Sequence, residues 1–296
     1  MFLRLTATLG LLLAALVPAA AAPKARKSGG KVQTPPPNHP PLIAAPLNQL
    51  PEGVERIDVI LLLGQSNMKG RGIMPEEPLN DPRLLAMHLK DDAWYRARHP
   101  LHLTGDPQTF AGHDNAGVGP GLACAQTLLA ASPGTRIALV PCAVGGTALK
   151  RWEKGADLYE NAVRRALKTL KDAGDVPVRL RAALWLQGEA DAKPGQVETY
   201  AARLAQMIAD LRADLKAPQL PFVASTIGEM RPGGLQPQIN AQLLALSQNV
   251  PAAGCADARD LKSSIGDNVH FDTSSQEEIG RRMAAEVQRI EAASKP

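Results

Sequence analysis

At 296 residues the chain has room for one substantial domain of roughly 200–250 residues, or at most two small ones. Aromatics make up only 3 %, so a core must be built from Ala, Leu, Ile and Val. Five of the 33 Lys and Arg and none of the 29 Asp and Glu fall within residues 1–50, which leaves 28 basic against 29 acidic residues beyond them. The formal charge of +4 therefore belongs to the N-terminal end and says nothing about a nucleic-acid face on the domain, and no nucleic-acid partner is expected.

Residues 1–22 follow the order of a secretory signal. Positive charge near Arg4 precedes an apolar run over 5–17, and Ala19 and Ala21 supply the small–x–small pair of a cleavage site. The run of about 13 residues is short for a span needing ~20. Export to the periplasm or the medium is expected, with no membrane span left after signal removal. Residues 23–50 are Pro-rich, basic and free of acids, a composition that favours solvated, extended chain. They read as a linker or tail, which places the folded domain at 51–296.

From there strand-like and helix-like stretches alternate. Residues 57–63 (IDVILLL) form a continuous apolar run, as expected of a strand covered on both faces. Residues 88–113 hold His88, His99, His102 and His113 among Pro, Asp and Gly, and read as surface loops. Further strands are predicted at 136–141, 181–187, 222–227 and, more weakly, 254–257. Helical periodicity fills the intervals at 159–170 and 275–290. It is clearest where Val197, Tyr200, Leu204, Met207, Leu211 and Leu215 recur at three- and four-residue steps. The alternation predicts an α/β domain, a mainly parallel five-stranded sheet between layers of helices.

In such sheets ligands bind beyond the carboxyl ends of the strands. GQSNMKGRG (64–72), CAVGGT (142–147), QGEAD (187–191) and DNVH (267–270) should then share one edge. Ser66 stands at the turn leaving the first strand, behind Gly64, where a side chain would crowd a tight bend. It is placed either to cap the next helix or to act as a nucleophile. His270 lies just before the last helix, with Asp267 three residues upstream. One tight turn would bring that carboxylate to imidazole Nδ1 and leave Nε2 free for a serine proton. Asp272 is a competing orienter, but along an extended chain it would point the other way.

Acyl transfer also needs donors to a developing oxyanion. Backbone N–H groups at Gly145 or Gly146, and the carboxamide of Gln187, are candidates; a plain glycine turn and a polar strand cap are the plainer readings of the same residues. Glu189 and Asp191 raise a paired-carboxylate glycosidase reading. Two residues apart on one segment, they are badly placed to flank a bond, and Glu189 reads instead as a supporting hydrogen-bond residue. Trp152 and Trp185 have the spacing of core residues more than of a sugar platform. Cys124, Cys142 and Cys255 lack metal-ligand spacing, and no metal is expected. An oxidising compartment would allow one disulfide among them, its pairing left open. No dinucleotide, Walker or HExxH motif is present.

Taken together, these segments resemble the SGNH hydrolase superfamily. Within it they are similar to the carbohydrate acetylesterases grouped with sialate O-acetylesterases and acetylxylan esterases (carbohydrate esterase family 6-like). GQSNMKGRG, VPCAVGGTALKRW, LWLQGEADA and DNVHFD stand in the family's order, over about residues 57–272. The resemblance implies a flavodoxin-like three-layer α/β/α sandwich and a serine esterase without cofactor, acting on an acetylated carbohydrate such as acetylxylan, sialic acid or a related glycan. It implies Ser66 as nucleophile, His270 and Asp267 as base and acid, and Ser66, Gly145 (or Gly146) and Gln187 as the oxyanion hole. Gln187 stands where the superfamily usually has Asn, a substitution typical of the acetylesterase branch. An esterase for longer acyl chains and a catalytically silent glycan-binding module are the alternatives.

Overall fold

The computed structural model describes residues 39–294; the expected signal and most of the expected linker lie outside the described residues. In chain order, β1 (Arg56–Gly64) leads into a one-turn helix, α1 (Ser66–Lys69), then β2 (Leu84–Met87), β3 (Trp94–Arg96) and α2 (Pro120–Ala130). After these come β4 (Thr135–Pro141), α3 (Asp157–Asp172), β5 (Val178–Leu186), α4 (Tyr200–Asp214) and β6 (Phe222–Ser225). The chain closes with α5 (Gln236–Leu244), α6 (Leu246–Asn249), β7 (Ala253–Ala256) and α7 (Thr273–Ala293).

One seven-stranded sheet runs in the order β3-β2-β4-β1-β5-β6-β7. It is parallel throughout except for β3, which pairs antiparallel with β2. The apolar run predicted for the first strand is buried along its length, as a central strand between helical layers requires. Leu62 packs toward Gly121 of α2. Trp185, in register with the next residue, Leu63, lies on the other face, where it meets Trp152 edge-on at 5.3 Å and donates to the Tyr200 hydroxyl of α4 at 3.1 Å. Both tryptophans are core. The stripe from Val197 to Leu215 is buried as its spacing predicts.

Three expectations are corrected. The sheet has seven strands, not five, because β2 and β3 are only four and three residues long, too short to carry a periodic signal. The region read as surface loops is folded inward. His88, His99 and His102 are buried; the His88 ring spans Asp91 and the Gly105 carbonyl, and His102 Nε2 accepts the Ala143 N–H at 3.1 Å. Burial pushes the His102 imidazole down to about 3, so it stays neutral as that accepted bond requires. Finally, residues 39–50, read as linker, line the β3 edge. Ala45 N–H donates to Trp94 O and Arg96 N–H to Ile43 O, Leu47 is buried, and Arg136 donates to the Pro46 and Leu47 carbonyls. A Pro-rich strip cannot order itself, but it can cover an open sheet edge when other residues supply the donors. Among the described residues no helix is long and apolar enough to cross a membrane.

At the amino end of the sheet, Asp58 is fully buried and accepts from Arg179 at 2.7 and 3.1 Å and from Arg181 at 3.2 Å. Removing the carboxylate would leave the buried Arg181 with Glu291, at 3.0 Å, as its remaining ion-pair partner and one guanidinium N–H without an acceptor. Asp58→Ala should therefore destabilise the fold by about 1–3 kcal/mol, read as a lowered midpoint in urea. A midpoint unchanged from the parent would contradict that assignment.

Candidate active site

β1 lies between β4 and β5, and later connections build the sheet outward on both sides of it; the carboxyl end of such a strand is where open parallel sheets place their sites. Gly64 makes the exit turn at φ 127, where a Cβ would stand 2.3 Å from the Leu186 carbonyl oxygen; only glycine fits both the dihedral and the space. Ser66 follows as the first residue of α1, 5 % exposed.

Residues 264–271 approach from the other end of the sequence. His270 Nε2 lies 2.9 Å from Ser66 Oγ, and Nδ1 lies 2.5 Å from Asp267 Oδ2. The second oxygen of Asp267 accepts the Val269 and His270 N–H groups, each at 2.9 Å. The turn closes through Asn268 at φ 58, a left-handed conformation that Asn tolerates well. Burial acts to raise the Asp267 carboxyl. The His270 and Val269 N–H groups and the imidazole outweigh it, and the carboxyl sits below its ordinary range. Asp272 does not orient the histidine; it caps α7, accepting Ser275 N–H at 2.9 Å.

Beyond β4 the backbone stays beside β1, Val144 N–H donating to Gly64 O at 3.1 Å. That contact sets Gly145 against the serine: a Cβ there would lie 3.6 Å from Ser66 Cβ and 3.2 Å from Arg71 Nη2. At Gly146 a Cβ would meet nothing within 4 Å. Of the two glycines it is Gly145 that adjoins Ser66. Among the described residues neither the Ser66 nor the Gly145 N–H has a backbone partner.

Gln187 departs from its expected role as an oxyanion donor. Its side chain is buried, and Nε2 donates to Thr147 O at 3.0 Å and to Asp191 Oδ2 at 2.6 Å. Both amide protons are thus engaged, while Oε1 accepts from Tyr200 at 3.1 Å. The cause is Asp191, a buried carboxylate that needs donors and takes them from Gln187 and from Leu149 N–H at 2.8 Å. Gln187 therefore ties the glycine loop to β5. Glu189 faces α1 and accepts the Asn67 carboxamide at 2.6 Å. Burial holds its carboxyl above the ordinary range against the lowering effect of that bond. With Asp191 enclosed and Glu189 turned to Asn67, the two carboxylates do not flank a cleft.

Two residues at the site carry no signal in the sequence beyond lying in the same segment as Ser66. Asn67 is fully buried and bridges Glu189 to the histidine loop. Arg71 donates to Asn115, with Nη2 beside Gly145; burial lowers its guanidinium while Asp114 and Asp267 raise it. Cys124, Cys142 and Cys255 are free thiols, and no metal-binding cluster occurs among the described residues.

An α/β/α sandwich with hydroxyl, imidazole and carboxylate in line at the carboxyl edge of its first strand places the molecule among SGNH-like hydrolases. Comparison with known proteins narrows this. Residues 56–289 match the family described as carbohydrate esterase, sialic acid-specific acetylesterase. A probable carbohydrate esterase of Arabidopsis thaliana is 34 % identical over 245 residues, 76 % of this chain and 88 % of that one. Its crystal structure superposes with a TM-score of 0.67 at 32 % identity, over 78 % of this chain and 98 % of that one. NanS shares the fold at 18 % identity, with a TM-score of 0.61 over 81 % and 99 % of the two chains. The chain belongs to the sialic acid-specific acetylesterase family of carbohydrate esterases and is a carboxylic ester hydrolase.

Proposed function

We propose that the protein is an exported serine esterase that removes O-acetyl groups from carbohydrate through an acetyl-enzyme. The observation that carries this reading is the 2.9 Å approach of His270 Nε2 to Ser66 Oγ, with Asp267 behind the ring at 2.5 Å. The neutral imidazole takes the Ser66 proton at Nε2 as Oγ attacks the acetyl carbonyl carbon. Charge developing on the carbonyl oxygen is received by the Ser66 and Gly145 N–H groups. Collapse breaks the bond to the sugar oxygen, which takes the proton from His270 and leaves as the alcohol. Water then gives a proton to His270 and attacks the acetyl carbon. Acetate departs, and the proton returns to Ser66.

An acetylated carbohydrate substrate is supported by the family to which the chain belongs. A short acyl group is supported by the recessed serine, 5 % exposed, with Gly145 against it. The charged, apolar, small-residue order of residues 1–22 supports action outside the cytoplasm. The test is a chain-length series of p-nitrophenyl esters run beside acetate release from acetylated xylan, O-acetylated sialic acid and O-acetylated peptidoglycan. At least tenfold higher kcat/KM for acetyl than for butyryl ester is expected, with acetate freed from at least one glycan. A preference for octanoyl ester with no acetate freed would overturn the assignment.

A further inference from the structure

Asn67 is the residue after the proposed nucleophile, and its fully buried side chain makes four hydrogen bonds. Nδ2 donates to Glu189 Oε1 at 2.6 Å and to Val269 O at 3.1 Å. Oδ1 accepts Phe271 N–H at 3.1 Å and Gln276 Nε2–H at 3.3 Å. A carboxamide has two protons and two acceptor lone pairs, so every one is used. Val269 and Phe271 are the two neighbours of His270. One side chain therefore grips the histidine loop immediately before and immediately after the imidazole, from the residue adjoining Ser66.

The need for such a grip follows from the fold. Ser66 and His270 are 204 residues apart; the serine rides on a one-turn helix and the histidine on a loop. Apart from the Ser66–His270 contact itself, Asn67 is what joins these two segments by hydrogen bonds to backbone on both sides of the ring. Its orientation is in turn set from a third element. Glu189, just beyond β5, takes one amide proton, which leaves the carboxamide oxygen facing Phe271 N–H and the remaining proton facing Val269 O. Reversing the amide would set its oxygen against the Glu189 carboxylate and the Val269 carbonyl, and its protons against Phe271 N–H, so only one orientation satisfies the bonds.

We infer that Asn67, aimed by Glu189, is a positioning residue that sets the distance between Ser66 and His270 and so governs turnover. This rests on the serine-esterase reading above and adds to it the device that registers the two proton-transfer partners. The expected consequence is kinetic, because a misplacement of about 1 Å in a reacting pair costs on the order of 10²-fold. Substrate contacts are untouched.

The experiment measures kcat and KM for p-nitrophenyl acetate in the full chain and in Ser66→Ala, Asn67→Ala, Glu189→Ala and Glu189→Gln, with thermal unfolding recorded for each. Asn67→Ala is expected to lower kcat about 10²-fold with KM changed less than about threefold. Glu189→Ala should lower kcat about tenfold, and Glu189→Gln should restore most of that loss, since an amide oxygen still accepts from Asn67. If Ser66→Ala is inactive while Asn67→Ala keeps kcat within threefold of the parent, the positioning role is wrong and the serine reading survives. If Ser66→Ala stays active, the serine reading itself has failed. Should Asn67→Ala not fold, the Glu189 pair decides, and equal kcat in Glu189→Ala and the parent overturns the inference.

Discussion

Ser66→Ala should lower kcat for p-nitrophenyl acetate by about 10⁶-fold, the scale seen when a serine acting in concert with its base is removed, and leave KM and the unfolding midpoint almost unchanged. The effect is this large because the hydroxyl is the group that forms the covalent bond. The N–H groups of Ser66 and Gly145 remain to polarise a carbonyl, but no nucleophile stands 2.9 Å from the imidazole. What survives is the background that oxyanion stabilisation and binding provide without a nucleophile. The stability forecast has its own cause. Ser66 Oγ donates to His270 Nε2, and the imidazole is part-exposed, so losing the bond strands no buried acceptor. A variant retaining more than a hundredth of parental kcat would remove Ser66 from the mechanism.

Asp267→Asn should be nearly as damaging, lowering kcat about 10⁴-fold, and the local geometry says why. Oδ1 of Asp267 is held by two backbone N–H groups at 2.9 Å, so the oxygen of an asparagine would keep that place. Its amide nitrogen would then face His270 Nδ1 where a carboxylate oxygen now stands at 2.5 Å. A donor there selects the tautomer with the proton on Nε2, which cannot accept from Ser66. Rates within tenfold of the parent would show that the turn does not dictate the tautomer. The same contacts fix the sign of a pH effect. Asp267 lies below the ordinary carboxylate range, so its ionised form is retained through mild acid. Protonating Asp267 would cost the ring its orienting carboxylate, so kcat/KM falls as pH drops through that depressed carboxyl and rises with pH across that limb. In stability terms, a depressed carboxyl contributes above its unfolded pKa, and the contribution fades as pH falls through the folded one.

How far these features were readable beforehand depends on the range over which each is determined. The Ser66 turn and the Asp267–His270 pair are local: a strand that ends in Gly64 and a three-residue spacing are enough to suggest them, and the alternation of apolar runs with helical stripes was enough to place both at one edge. Orientation is a different matter. That Gln187 carries amide protons is visible in its identity, but their direction is decided by the buried Asp191 and by Thr147, 40 residues earlier in the chain. Asn67 escaped notice for the same reason, since three of its four partners lie more than 200 residues away. The histidines at 88, 99 and 102 looked solvated because Pro, Asp and Gly surround them. They are buried because β2 and β3 and the strip from 39 to 50 fold over that region, through pairings too short to leave a pattern.

The most direct test of the account is covalent trapping. The full chain is incubated with a fluorophosphonate ester, which the activated hydroxyl attacks with loss of fluoride, and the modified residue is located by peptide mass spectrometry. One equivalent of adduct on Ser66 is expected, forming in step with loss of esterase activity and abolished in His270→Ala. Inactivation with the adduct on another residue, or an esterase that stays fully active with Ser66 modified, would contradict it.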